Sequence, residues 1–272
     1  MTYLWVMGMA LSAGFILLAD YHIYAQFAQE DHLIENLTAV LLFLAGFTLV
    51  KGVRGWSRMN HVFKLSEWVL RFAGLILLWA ALEEISWGQR IVGWETPDWM
   101  KEVNDQDETN LHNTNKLFFD RLLDRLTILL VIVSAYFRLR GIRTFWHIPL
   151  ADTWLICAFA VSPFYIQYNS KLPDFFQLQY LPLIALAVGM WKEGERQKFY
   201  AVVGTIFLSL LVAFLHLKLQ YRFVSDENSV NEFRELFFAT ATFGYALFIS
   251  GRRLQFVRGL TKRKVQSVVL SE

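Results

Sequence analysis

The segment ALEEISWGQR, Ala81 to Arg90, sets two carboxylates, a hydroxyl, an amide and a guanidinium directly after a run of apolar residues. Glu83, Ser86 and Arg90 stand at i, i+3 and i+7, a spacing that puts them on one face of a continuous helix, with Glu84 about a quarter-turn away. Paired carboxylates can share a proton, one pKa being raised, or hold a divalent cation. Arg90 offers a planar fork suited to phosphate or carboxylate, and Gln89 adds an amide. Downstream, NLHN places His112 between Asn110 and Asn113. A neutral imidazole there could serve as general base or metal ligand, with the two amides orienting it or holding substrate. The same stretch could equally cap the next helix. Ser86 with His112 would form a nucleophile–base pair if the fold brings them together.

Two more segments carry carboxylates. EDHLIENLTAV contributes Asp31 and Glu35, and SDENSVNEFREL contributes Glu232 and Glu235. Ser229 and Glu232 have the spacing of a capping box, which makes Glu232 structural. Glu35 and Glu235 lie deeper than a cap requires, so the expected metal set is Glu35, Glu84, His112 and Glu235. Asp105, Asp107 and Thr109 alternate like calcium ligands, but the loop glycine and distal bidentate Glu of an EF-hand are missing. Asp120, Arg121, Asp124 and Arg125 read as ion pairs at helical spacing. The plainest alternative for the opening segment is a structural ion pair of Glu83 with Arg90, flanked by interfacial Trp87 and Trp94.

The elements that would position these groups are membrane helices. Of the 272 residues 55% are apolar and only 18% charged, with 24 Phe and 10 Trp. Eight apolar runs of roughly 15 to 21 residues, near the length that crosses a bilayer, are Tyr3–Ala19, Leu33–Val50, Trp68–Glu84, Leu122–Phe137, Ile148–Ile166, Phe175–Trp191, Phe199–Leu217 and Phe233–Ser250. With eight spans every cationic connection falls on one side: Lys51 to Lys64, Arg138 to Arg143, Lys192 to Lys198, and the tail beginning at Arg252. The bias of Lys and Arg toward cytoplasmic loops then puts both termini in the cytoplasm. Most acids collect on the other side, where Glu83 sits about 22 Å along its span from Trp68, inside a hydrocarbon core about 30 Å thick. An ionisable group at that depth must face a bundle interior, a cavity or a partner.

The expected organisation is therefore an all-α polytopic bundle. A single transmembrane domain covers 1–250, a short extracytoplasmic interfacial loop lies at about 89–116, and a basic tail over 251–272 rests on the anionic leaflet. Thr96-Pro97-Asp98 predicts the start of a short interfacial helix with Trp99 and Met100 toward lipid. The N-terminus, which lacks a basic n-region, reads as a retained first span. Net charge of +2 gives no nucleic-acid surface, the lone Cys157 excludes intramolecular disulfides and two-cysteine metal knuckles, and no nucleotide-binding string occurs.

The strings EEISWGQR, ETP and NLHN, with IENLTA at the second span, resemble a family of bacterial polytopic inner-membrane proteins. The likeness covers the first half best and NEFRELFFA less, and it implies an inner-membrane location and no particular reaction. A fainter likeness to ceramidase-type intramembrane zinc hydrolases breaks down where it would matter. There is no H-x-x-x-H pair and no Ser-x-x-x-His, since position 90 is Arg90, so no zinc site is carried over. The functional expectation is hydrolysis or group transfer on a lipid or lipid-linked substrate, by Glu83, Glu84, Ser86, Gln89, Arg90 and His112 at the outer surface. A proton- or cation-coupled transporter would use the same carboxylates, and an assembly scaffold would expose them.

Overall fold

Apolar runs satisfy their backbone N–H and C=O groups within the segment by winding into helices, and each of the eight expected runs carries one. The computed structural model describes residues 1–19, 21–28, 33–52, 63–102, 104, 109–111, 114, 116–146, 148–164, 178–223 and 232–251. In chain order these give α1 (Thr2–Ala19), α2 (Tyr21–Ala28), α3 (Leu33–Gly52), α4 (Phe63–Glu84), the short α5 (Gln89–Val92) and α6 (Asp98–Lys101), and α7 (Lys116–Leu139). A two-stranded hairpin follows, β1 (Thr144–Phe145) and β2 (Ile148–Pro149), then α8 (Thr153–Val161), α9 (Tyr180–Lys192), α10 (Arg196–Phe223) and α11 over 232–251. The fold is all-α. Among the described residues Leu33–Gly52 alone has both the length and the apolarity to cross a membrane, and Thr2–Ile16 and Tyr180–Lys192 are apolar but shorter.

The fifth run is corrected most. Ile148 and Pro149 pair antiparallel with Phe145 and Thr144 instead of entering a helix. The helix starts only after Asp152, whose carboxylate accepts from the Leu155 N–H at 3.0 Å and caps it. It stops before Pro163, which has no N–H to donate and lies in a 3-10 turn. The resulting α8 is nine residues long and buried on nearly every side. A helix apolar all round belongs in a core, and Cys157, Ala158 and Ala160 are small enough to let α1, α7 and α10 pack closely on it. Cys157 is thus a core residue.

α3 and α4 pack closely against each other, and glycines explain the approach. A Cβ on Gly46 would sit 2.6 Å from the Gly74 carbonyl oxygen, and one on Gly74 would sit 2.8 Å from that of Gly46. Gly46→Ala is expected to force the helices apart and cost about 1–3 kcal/mol, whereas Gly14→Ala, which meets nothing within 4 Å, should gain up to about 1 kcal/mol of helix propensity. Thermal unfolding of the two variants side by side checks this.

α11 joins the two halves of the bundle. Phe233, Phe237 and Ala241 pack into the cluster around α8, while Ala239 meets Leu42 and Ala81, and Ala246 and Ile249 meet Ala45, Leu49 and Leu70. The hairpin is tied to this core by Tyr245, which donates to the Pro149 carbonyl at 2.7 Å, and by Ser66, which donates to that of Trp146.

At the same end, buried Arg138 on α7 reaches Glu193 at 3.0 Å and Glu195 at 3.3 Å, and Lys198 also pairs with Glu195. The hydrogen bond from Lys198, with further attraction from Arg138 and Arg143, holds the Glu195 carboxyl below its ordinary 4.5. A carboxylate with a lowered pKa stabilises the fold above its unfolded value and loses that contribution as pH falls through the folded one. Wild type should therefore lose stability below about pH 4.5 more steeply than Glu195→Gln, measured as melting temperature against pH.

Candidate functional site

Buried polar side chains need partners, and those of the opening segment find them in the loop that follows it. α4 ends at Glu84. Ser86, Trp87 and Gly88 then take consecutive positive φ angles of 48, 58 and 81°. Glycine enters that region freely, but each of the other two pays roughly 1–2 kcal/mol. The turn breaks the helix, so Glu83, Ser86 and Arg90 do not share one helical face. The side chain of Arg90, on α5, lies outside the description, as do His112 and Asn113.

The loop is held down by a connected set of hydrogen bonds. Glu83, 3% exposed, accepts from the Trp87 indole at 2.8 Å and from the Leu111 backbone N–H at 2.6 Å. The Ser86 hydroxyl, fully buried, accepts from the Asn110 amide at 3.1 Å. Asn104 donates in turn to the Asn110 backbone carbonyl at 3.1 Å and side-chain carbonyl at 3.2 Å. Gln89 ties both arms, donating to Thr96 Oγ1 at 2.7 Å and the Trp94 carbonyl at 3.2 Å, while its Oε1 accepts from the Thr109 N–H at 2.6 Å. Glu83, Ser86, Gln89 and Asn110 therefore build a cover over the end of α4. The short helix α6 forms as expected and leaves Trp99 exposed, but Met100 turns inward and is buried. Trp87 and Trp94 remain partly exposed, as interfacial anchors would be.

The other carboxylates lie beneath. A cavity of about 300 Å³ opens between α3, α4, α7 and α11, with Glu83, Glu84, Glu235 and Thr38 among its lining residues. The rest of its wall is apolar, and Ile76, Trp79, Leu122 and Leu126 at the rim are exposed, so it opens sideways onto the surface. The Thr38 hydroxyl is buried without a hydrogen-bond partner among the described residues. Glu235 accepts from Arg234 at 3.0 Å, and Arg234, 2% exposed, also reaches Asp124 at 3.3 Å. Glu83 is engaged by Trp87 and Leu111, and the other two carboxylates of the cavity, Glu84 and Glu235, can divide general-acid and general-base work.

The expected metal set does not assemble in the part that is described. Glu84 and Glu235 share the cavity, Glu35 does not line it, and His112 lies outside the described residues. Among the described residues no group of three or more His, Cys, Asp or Glu could hold a metal ion.

Three contributors went unread in the sequence. Asn104 stood among other loop amides with nothing to single it out. The Arg234–Asp124 pair spans 110 positions. Glu67, buried and paired with Arg71 in the first half of α4, stands just ahead of the apolar run that begins at Trp68. Comparison with known proteins finds no family model, no curated protein and no solved structure that matches this chain.

Proposed function

We propose that the chain is a multi-pass membrane protein of the bacterial inner membrane that hydrolyses, or transfers a group from, a lipid or lipid-linked molecule held in the cavity beneath the 86–111 cover. The carrying observation is the cavity itself: apolar walls, a lateral opening, and the carboxylates of Glu84 and Glu235. An amphiphile entering from the side would lay its chain along Ile76, Leu122 and Leu126 and bring its polar head to the two acids. The eight-span arrangement with both termini in the cytoplasm belongs to the same proposal. It is supported by exposed Phe15, Phe72, Leu181 and Phe207, each more than 60% accessible, which a water-soluble surface does not carry in such number. The charge segregation of the loops supports it too.

Glu84 and Glu235 take the acid–base roles here, and Glu83, Ser86, Gln89 and Asn110 position the cover. A docking scaffold fits less well, since Glu83 is buried rather than presented. Proton- or cation-coupled transport is the second reading, favoured by buried Glu67, which gives α4 a carboxylate at its other end as well.

Native mass spectrometry in mild detergent tests the proposal. Wild type should carry a co-purifying amphiphile, and Leu123→Trp, which fills the cavity, should lose it. Glu84→Gln should retain an unconverted form differing in mass by the transferred or hydrolysed group, with turnover down about 10²–10⁴-fold. Wild type without bound amphiphile, or Leu123→Trp still loaded, would sink the reading.

A further inference from the structure

A second cavity, of about 460 Å³, lies at the opposite end of α7 from the 86–111 cover, among Arg138, Arg143, Thr144, the hairpin and Lys198. Its size falls within the range of small-molecule sites. Arg138, Arg143 and Lys198 supply cationic groups, and Ile142, Leu150 and Phe248 supply an apolar wall.

Asp152 lines the cavity, and its Oδ1 caps α8 through the Leu155 N–H. Glu193 and Glu195 accept from Arg138, and Glu195 also from Lys198, and neither Glu lines the cavity. These bonds fix Arg138 rather than exhaust it. All three of its contacts, to Glu193, Glu195 and the Met190 sulfur, run through Nη2. Nη1 and Nε donate to no group among the described residues, in a side chain only 3% exposed that lines the cavity. Arg143 is exposed and has no ion pair among the described residues. The Glu195 carboxyl, held low by all three cations, reports the positive field from outside.

We infer that this cavity binds a phosphate group, with Arg138 and Arg143 as the donors that grip it and Lys198 as a supporting charge. A guanidinium held in place by two carboxylates keeps its remaining N–H groups aimed without further ordering cost, which suits it to a tetrahedral anion. The apolar wall fits the organic part of a phosphate ester. Two sources share that chemistry: an anionic phospholipid headgroup and a soluble phosphate ester.

The experiment uses the full chain in neutral mild detergent and reads melting temperature at constant ionic strength, set with sodium chloride. One arm titrates inorganic phosphate. The other titrates micellar phosphatidylglycerol against phosphatidylcholine. Each is run on wild type, Arg143→Gln and Arg143→Lys, and Arg143 is chosen because an exposed side chain can be changed without unfolding the protein. A rise in melting temperature with phosphatidylglycerol alone assigns the headgroup, and a rise with phosphate assigns the soluble class. In either case Arg143→Gln should weaken the apparent affinity about tenfold or more, and Arg143→Lys should recover part of it. The inference is overturned if neither ligand shifts wild type beyond the chloride and phosphatidylcholine controls, or if Arg143→Gln responds as wild type does.

Discussion

Glu83→Ala is expected to release the 86–111 cover and to cost about 2–4 kcal/mol. The carboxylate accepts from the Trp87 indole and the Leu111 N–H, and bonds to a charged acceptor contribute roughly 1.5–3 kcal/mol each. The sum is discounted because Trp87 and Leu111 are partly exposed, at 41% and 46%, so water takes up part of what is lost. The left-handed turn at Ser86 and Trp87 adds to the effect, since a strained backbone persists only while its surroundings hold it. Glu83→Gln keeps an acceptor for one donor and turns an N–H toward the other, so it should cost about half as much. Thermal unfolding gives the energies, and limited proteolysis between residues 101 and 116 gives the location. If Glu83→Gln abolishes turnover while stability and proteolysis stay at wild-type levels, Glu83 belongs with the proposed acid–base pair and not with the cover.

The helices were legible because their signal is long and repetitive. α1 buries Tyr3, Val6, Ala10 and Ala13 along one stripe and leaves Leu4, Trp5, Leu11 and Phe15 outside, a pattern that apolar composition alone locates without saying which face is which. The concentration of polarity after Ala81 was legible too, and its placement beside a cavity followed from the cost of burying it. What failed was the assumption of a continuous helix through Arg90. Gly88 is the kind of residue that ends a helix in the left-handed region. Positive φ at Ser86 and Trp87 has no such marker, because side chains of their types rarely adopt it. Once the chain turns there, spacing on a helical wheel ceases to report neighbours, and Ser86 finds Asn110, 24 positions on. Long-range pairs such as Arg234 with Asp124 follow from helix packing that no local pattern encodes.

Arg234→Met should be strongly damaging, at about 3–5 kcal/mol. Its guanidinium is 2% exposed and lies between Asp124 at 3.3 Å and Glu235 at 3.0 Å. Removing one partner of a buried ion pair strands the other charge, which is where the cost arises, while removing the whole group for apolar residues of similar size is often neutral. Arg234→Met with Asp124→Leu and Glu235→Met should therefore recover most of the loss, and a cycle among these variants measures the coupling directly. Glu235→Gln alone leaves Arg234 its bond to Asp124 and should cost less than half as much as Arg234→Met. That difference lets the two roles of Glu235 be separated. Where Glu235→Gln melts near wild type but has lost turnover, the carboxylate works on the cavity ligand and Arg234 serves to hold it at the wall. Where Glu235→Gln and Arg234→Met lose stability and turnover in the same proportion, Glu235 is part of the ion network alone, and the proposed acid–base role falls to Glu84 with a different partner.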